Sequence, residues 1–515
     1  MQDFFNHFLI QFSQKSIGNL LLANWQRILV ILFIGLGFYL RIYHYLLNRS
    51  LWLDEAMLAL NIVEKNYFQL LQPLELNQGA PILFLLIEKL FVTIFGNNEL
   101  SLRLFPLLSG FFSLILVYKV GKIYFNEFVA LCSLFLFSIS EHLIYYSSEV
   151  KQYSTDVFAT LLILYLARRC FNQDSTKKDF ILLCAIGSIL IFVSHPIIFS
   201  IMSISLLFLL ISGKQLLKKK FHYIFSIIAT WLFLYLLLFV LSLNNLASNK
   251  VLENYWKNEF MPLPLWENIT WLINNFKSNL INPFGLHSSP LIIFLIVIIS
   301  FLIIILNKNH IFKIIFILPF PFGLLFSSFH LYPFGGRLLL FLAPLFYLIL
   351  FFGITSIFSF VLQKQNIISF KFLPSLIIIA LIAYKPMMIT YNNWKYPSYG
   401  QHLRPIMAEI SNRLSYKDKI YVYYSSIPAF KYYMEYFNLN NIEYFSGTLN
   451  RENPENYLEE IDQMNLTGNV WFIFSHNCSW CKVNEEEFIT YYLNNTGELI
   501  LKISNHGASS YLYKR

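Results

Sequence analysis

Four short polar groups stand out in an otherwise apolar chain of 515 residues. Trp52-Leu53-Asp54-Glu55-Ala56 sets two carboxylates side by side. A carboxylate within hydrogen-bond reach of an acceptor hydroxyl can act as a general base, an effect of about 10²–10⁴-fold in rate. The plainer use of the same residues is the first turn of a helix, where acids complement the positive dipole end. Ser148-Glu149-Val150-Lys151-Gln152-Tyr153 combines an acid, a cation and a phenol. Glu149 and Tyr153, four apart, would share one face of a helix; Tyr and Lys also serve simply as membrane-interface anchors. His195-Pro196 marks a turn between apolar runs, and a lone His there is satisfied by an ordinary hydrogen bond. In His330-Leu331-Tyr332-Pro333-Phe334-Gly335-Gly336-Arg337, two glycines allow close backbone approach and the arginine is a fixed cation suited to phosphate. Its bland alternative is snorkelling to lipid headgroups.

The elements that position these groups are set by composition. Hydrophobic residues make up 57% of the chain and charged residues 13%, against about 25% charged in soluble domains. Mean hydropathy is +0.55. Such a chain cannot cover itself with polar side chains, so most of its surface meets lipid. The net charge of +9 comes in short basic clusters between apolar runs, the pattern of cytoplasmic loops, which argues against nucleic acid as a partner.

A spanning helix needs about 20 apolar residues. The pattern gives about eleven spans, at 27–47, 104–122, 128–147, 153–168, 179–195, 196–212, 221–243, 290–306, 311–329, 337–361 and 372–390, in a mainly α polytopic bundle. The stretch 80–95 is apolar but short and contains Glu88 and Lys89. Each charge at mid-bilayer would cost about 2.5–3.5 kcal/mol. If this stretch lies along the interface, Lys15, Arg27, Lys119, Lys122, Arg168 to Lys178, Lys214 to Lys220, Lys308, Lys313, Lys364 and Lys371 all fall on the cytoplasmic side. The first outer loop is then 48–103, with juxtamembrane helices. The loops 148–152, 244–289 and 330–336 and everything after about 391 face outward, and the N-terminus is cytoplasmic. Arg41, Arg103, Lys151 and Arg337 are cations on the wrong side of this pattern. No cleavable signal peptide is expected.

The expected division is a membrane domain over 1–390 and a small extracytoplasmic α/β domain over 391–515. Short β-type runs at 419–424 and 469–474 alternate there with helical patterns at about 428–437, 452–464 and 484–495. Its C-x-x-C, Cys478 and Cys481, is read as a local disulfide in an oxidising compartment. A thioredoxin-like site is disfavoured because no proline follows Pro454. The domain is expected to position an acceptor or to cap the site. Cys132, Cys170 and Cys184 sit in or beside apolar runs. Asp54, Glu55 and Glu149 could hold a divalent ion, although nothing in the pattern demands one, and no cofactor is required.

The order of these motifs resembles the GT-C superfamily, in particular its protein O-mannosyltransferase and lipid A aminoarabinose transferase-like branch. The first span is followed by W-x-D-E-A, then Ala80-Pro81, Gly96, Arg103-Leu104-Phe105-Pro106 and Gly110. A Ser-Ser-Glu-x-Lys-x-Tyr turn comes next, and later Gly-Gly-Arg ahead of a span with Pro344. The resemblance covers about 40–390 and rests on short motifs. It implies a polyprenyl-phosphate-linked sugar donor and inverting transfer on the outer face of a bacterial-type inner or plasma membrane, to a lipid, glycan or protein acceptor. Asp54 would be the base and Glu55 its neighbour. Glu149, Lys151, Tyr153, His195 and Arg103 would contact substrate, with Arg337 on the lipid phosphate. The chain departs from relatives that carry a His-containing motif where it has Gln78-Gly79-Ala80-Pro81. A transporter or flippase of lipid-linked sugars and a glycan polymerase or ligase are the alternatives. Paired repeats and midplane charges, which transporters show, are not evident.

Overall fold

The computed structural model describes residues 25–172, 174–212, 220–287, 289–306, 308–361, 373–439, 442–476 and 483–515. Lys15, Lys214, Lys364, Lys371, Cys478 and Cys481 lie outside them. Most of the chain is helical. Helix α1 (Trp25–Leu46) leads into a loop that carries α2 (Leu53–Glu64) and α3 (Ile82–Phe95). Then follow α4 (Glu99–Tyr124), α5 (Glu127–Ile139), α6 (Glu141–Tyr145), α7 (Tyr153–Cys170), α8 (Lys177–Val193) and α9 (Ile197–Ser212).

Six described helices are long and apolar enough to cross a membrane: α1, α4, Phe221–Ala247, Ile311–Ser328, Gly336–Ser359 and Leu376–Lys395. A seventh crossing arises if α5 and the segment Glu141–Ser148, bent by 63°, count as one. Each of the eleven expected spans coincides with helix, but the number that qualifies is six or seven. The difference has physical causes. Helix α7 carries Asp156, Arg168 and Arg169, α8 has 17 residues and opens on Lys177, Lys178 and Asp179, and Pro290–Leu306 is apolar but short. Together these features make the chain an integral, multi-pass membrane protein.

Helix α3 has 14 residues, about 21 Å at 1.5 Å per residue, well short of the ~30 Å hydrocarbon core. Glu88 is turned fully inward, while Lys89 Nζ donates to the Val63 carbonyl at the end of α2, 2.8 Å away. Helices α4 and α5 approach closely at Gly121, where a Cβ would lie 2.9 Å from the Ala130 Cα. Asn98 caps α4 by accepting from the Ser101 N–H, which fixes the helix that delivers Arg103.

The C-terminal part is a small α/β domain. Five strands, β1 (Lys419–Val422), β2 (Tyr444–Ser446), β3 (Asn469–Ser475), β4 (Glu498–Asn505) and β5 (Ala508–Lys514), order as β2-β1-β3-β5-β4. The first three neighbours are parallel; β5 runs antiparallel to β3 and β4. The helices Ile427–Tyr436 and Glu455–Gln463 supply the crossovers that parallel strands require. One apolar cluster joins this domain to the first loop: Ala56, Leu58, Ala59 and Ile62 of α2 pack with Leu403, Ile406, Phe430 and Tyr433. At about 1.5–3 kcal/mol for each fully buried large side chain, this shared core fixes α2 to the domain above it.

Candidate active site

Asp54 lies in the first turn of α2, but it caps nothing. The N-cap residue Trp52 makes no side-chain cap bond, and the Leu53 N–H is taken by Gln401 Oε1 at 3.0 Å. The Asp54 carboxylate instead joins two cations. Its Oδ1 accepts from Lys151 Nζ at 2.9 Å and Gln78 Nε2 at 3.2 Å, and its Oδ2 meets Arg337 Nη2 at 2.7 Å. Lys151 Nζ also donates to Gln78 Oε1 at 2.6 Å.

The Gly-Gly turn holds Arg337 in place. Gly336 has φ +55°, a conformation that glycine adopts without cost. Its N–H donates to Asn279 Oδ1 at 3.1 Å, and Asn275 Nδ2 donates to the Phe334 carbonyl at 2.7 Å. Both asparagines lie on the helix Ile269–Ile281. The guanidinium then sits 5.6–5.8 Å from the ring centres of Trp52, Tyr153 and Trp256, a cation–π cage.

Glu55 points the other way. It receives Arg103 on both oxygens, at 3.0 and 2.7 Å, and the Val150 N–H at 2.8 Å. Both side chains are 1% exposed. Arg103 also donates to the Arg49 carbonyl at 2.7 Å. This buried pair ties α2, α4 and the 149–152 loop together. Glu149 precedes α7, which begins at Tyr153, so the two do not share a helix face as the spacing suggested. Its Oε1 accepts from Trp52 Nε1 at 2.8 Å, and its Oε2 has no hydrogen-bond partner. His195 is half-buried, with its Nε2 enclosed and unpartnered. Among the described residues, no hydrogen bond or ion pair links it to this cluster.

Environment drives the two carboxyls apart. Burial works to raise the Asp54 pKa, but the charges of Lys151 and Arg337 and the bonds from Lys151 and Gln78 prevail and lower it to about 2. At Glu149, burial and then the Glu55 charge raise the pKa, against the pull of Arg337, to about 7. With Glu55 and Arg103 cancelling, Lys151 and Arg337 against Asp54 leave one surplus positive charge while Glu149 is protonated, and ionisation of Glu149 neutralises the cluster. Among the described residues, no group of three His, Cys, Asp or Glu is placed to hold a metal ion. Cys132, Cys170 and Cys184 carry free thiols.

Asp54, Glu149, Lys151, Tyr153 and Arg337 thus converge, with Glu55 and Arg103 beneath them. Gln78, Trp52, Trp256, Gln401 and His476 join them without having been singled out as site residues. Gln78 stands at the one place where the sequence departs from the motif, and that was its signal. Trp256 and the two C-terminal residues carry no local signal.

Residues 79–239 match the family model of dolichyl-phosphate-mannose-protein mannosyltransferases. No curated protein matches the chain in sequence. Among solved structures, ArnT from Cupriavidus metallidurans bound to undecaprenyl phosphate superposes with a TM-score of 0.50 at 10% identity, over 94% of this chain and 97% of that one. The Archaeoglobus fulgidus oligosaccharyltransferase AglB, in complex with an inhibitory peptide and a dolichol-phosphate, gives a TM-score of 0.49 at 11% identity, over 95% of this chain and 74% of that one. The match to the mannosyltransferase family model is thus confined to residues 79–239, and the chain as a whole shares the fold of ArnT.

Proposed function

We propose that the chain transfers a sugar from a polyprenyl-phosphate-linked donor to an acceptor hydroxyl or phosphate on the extracytoplasmic face, with inversion. The observation that carries this reading is the Asp54 carboxylate held between Lys151 and Arg337. The surplus positive charge suits a phosphate anion, and the guanidinium fork suits its geometry. The ArnT structure holds undecaprenyl phosphate, which agrees with that choice of donor.

In this reading Arg337, with Lys151, takes the donor phosphate. Asp54 then loses part of its cationic partnership and its basicity rises. Freed on one oxygen, it accepts the proton of the acceptor hydroxyl as that oxygen attacks the anomeric carbon. The carbon–oxygen bond to phosphate breaks, and the polyprenyl phosphate leaves stabilised by the two cations. A single in-line displacement of this kind inverts the anomeric centre. Glu55 and Arg103 orient α2, and Tyr153 with Trp52 forms the wall around Arg337. The membrane domain over 1–390 supplies this chemistry, and the domain after 391 covers it.

A second assignment of the base rests on Glu149. Its pKa of about 7 matches a general base operating near neutrality better than that of Asp54, and one of its oxygens is unpartnered. The test is release of undecaprenyl phosphate from an undecaprenyl-phosphate sugar by the reconstituted protein. Asp54→Asn should fold, insert and lose 10²–10⁴-fold in rate. Near-full activity of that variant, with loss in Glu149→Gln, would transfer the role to Glu149.

A further inference from the structure

The C-terminal domain reaches into the Asp54 site at one point. His476 follows β3 directly and adopts φ +56°, a left-handed conformation uncommon outside glycine. Its ring lies 6.4 Å from that of Trp52, and it is close enough to Asp54 to feel its charge. Gln401 links the two parts of the chain: its Oε1 accepts from the Leu53 N–H at 3.0 Å, and its Nε2 donates to His476 Nδ1. With Nδ1 accepting, the neutral imidazole carries its proton on Nε2 and presents a donor there.

The topology explains why this spot is suited to a ligand. From β1 the chain crosses to β2 on one side; from β3 it continues to β4 and β5 on the other. The strand order therefore reverses between β1 and β3, and ligands of open α/β sheets bind beyond the carboxyl ends of the strands at such a switch point. Here those ends are Tyr424-Ser425-Ser426 and Ser475-His476. Ser425 Oγ donates to the Ser475 carbonyl at 2.8 Å and pins the two ends together. Arg451 lies over the Tyr424 ring, 5.4 Å from its centre, and its charge reaches His476. Trp52, Gln401, Tyr424, Arg451 and His476 are all half-buried, so each keeps part of its surface open to a ligand.

We propose that this cluster at the strand ends is the acceptor site and that it takes a carbohydrate, with His476 and Arg451 as acceptor-binding residues facing Asp54; this rests on the transferase reading above. Planar aromatic faces beside a guanidinium and an imidazole N–H suit a ring that offers an apolar face and hydroxyls at its edge. The carboxyl ends of the parallel strands would then deliver an acceptor hydroxyl to the first-loop acid from above, while Arg337 holds the donor phosphate from the membrane side.

The test uses the full chain in lipid nanodiscs. Binding of mannotriose, chitotriose, maltotriose and a Ser/Thr-rich peptide is measured by calorimetry. At least one trisaccharide should bind, with affinity reduced tenfold or more in His476→Ala and Arg451→Ala and unchanged in Tyr416→Ala, a substitution at an exposed site. His476→Asn, which keeps a side-chain donor, should recover part of the affinity; this separates a binding role from a folding defect. No trisaccharide binding, binding indifferent to both substitutions, or binding of the peptide instead would overturn the assignment. Undecaprenyl phosphate binding by the unaltered protein, measured in the same nanodiscs, bears on the transferase reading alone. If it is present while glycan binding ignores His476, the acceptor-site assignment falls and the transferase reading stands.

Discussion

Asp54 Oδ2 and Arg337 Nη2 lie 2.7 Å apart, an ion pair that joins the first loop to the Gly-Gly turn ahead of a late apolar helix. The pair is only partly exposed, at 18% and 17%. Its partners on either side are Lys151 and the Trp52, Tyr153 and Trp256 rings. In the proposed mechanism, a phosphate that displaces the carboxylate from Arg337 exchanges one ion pair for another, so that donor binding and release of the base would be a single event.

Replacing Arg337 should therefore affect donor use first. Arg337→Lys keeps the charge but loses the planar fork and its stacking on three rings. A drop in kcat/KM for the donor of tenfold or more is expected, and a larger one in Arg337→Ala. Titration of undecaprenyl phosphate against both variants measures it, and unchanged affinity would remove Arg337 from the phosphate site.

The two carboxyls give opposite pH dependences. The Asp54 pKa in the fold, about 2, lies below its ordinary 3.8. Its stabilisation is present above about pH 4 and lost as the pH falls towards 2, an effect of about 2 kcal/mol. The Glu149 pKa in the fold, about 7, lies above its ordinary 4.5. Its contribution is fully present below pH 4.5 and lost as the pH rises through 7. The melting temperature should fall between pH 5 and 8, and Glu149→Gln should flatten that decline. Activity governed by Asp54 stays flat across pH 5 to 8, whereas activity governed by Glu149 falls below about pH 7.

Glu55 and Arg103 form a buried, bidentate pair. Removing one partner leaves an uncompensated buried charge, at a cost of about 3–5 kcal/mol. Arg103→Ala should lower the melting temperature and the yield of folded protein far more than Arg337→Ala does. Equal stability of the two variants would contradict a structural role for the pair.

Gln78 touches both members of the Asp54–Lys151 pair. In Gln78→Ala, Lys151 Nζ loses one acceptor and Asp54 one donor, each bond contributing about 0.5–1.5 kcal/mol. Activity should drop roughly tenfold with little change in melting temperature. Gln78→His, which keeps a side-chain nitrogen donor, should recover more of it than alanine does.

Much of this arrangement is legible in the residues themselves. Hydropathy locates the apolar helices, and of the four misplaced cations Arg103, Lys151 and Arg337 meet carboxylates here, whereas Arg41 donates to the Gly37 and Phe137 carbonyls. The shortness of 80–95 is matched by a helix of 14 residues. What the sequence withholds is pairing across distance. Nothing local tells that Glu55 belongs to Arg103 while Asp54 belongs to Lys151 and Arg337, because adjacent residues on a helix point in different directions. The spacing of Glu149 and Tyr153 suggested one helix face, but the chain stays extended at Glu149 and enters the helix only at Tyr153. Three strands carry no clear β pattern: β2 has three residues, β4 is largely exposed, and β5, although buried, opens on Ala508-Ser509-Ser510. The approach of Gln401 and His476 to the first loop depends on how α2 packs beneath the C-terminal domain, a long-range contact without a sequence signature.

The most direct test of the account is a structure of the full chain in nanodiscs with undecaprenyl phosphate. The account predicts phosphate density within hydrogen-bond distance of the Arg337 guanidinium and Lys151 Nζ, with Asp54 released from Arg337. Lipid phosphate bound elsewhere, with the Asp54–Arg337 pair intact, would contradict it.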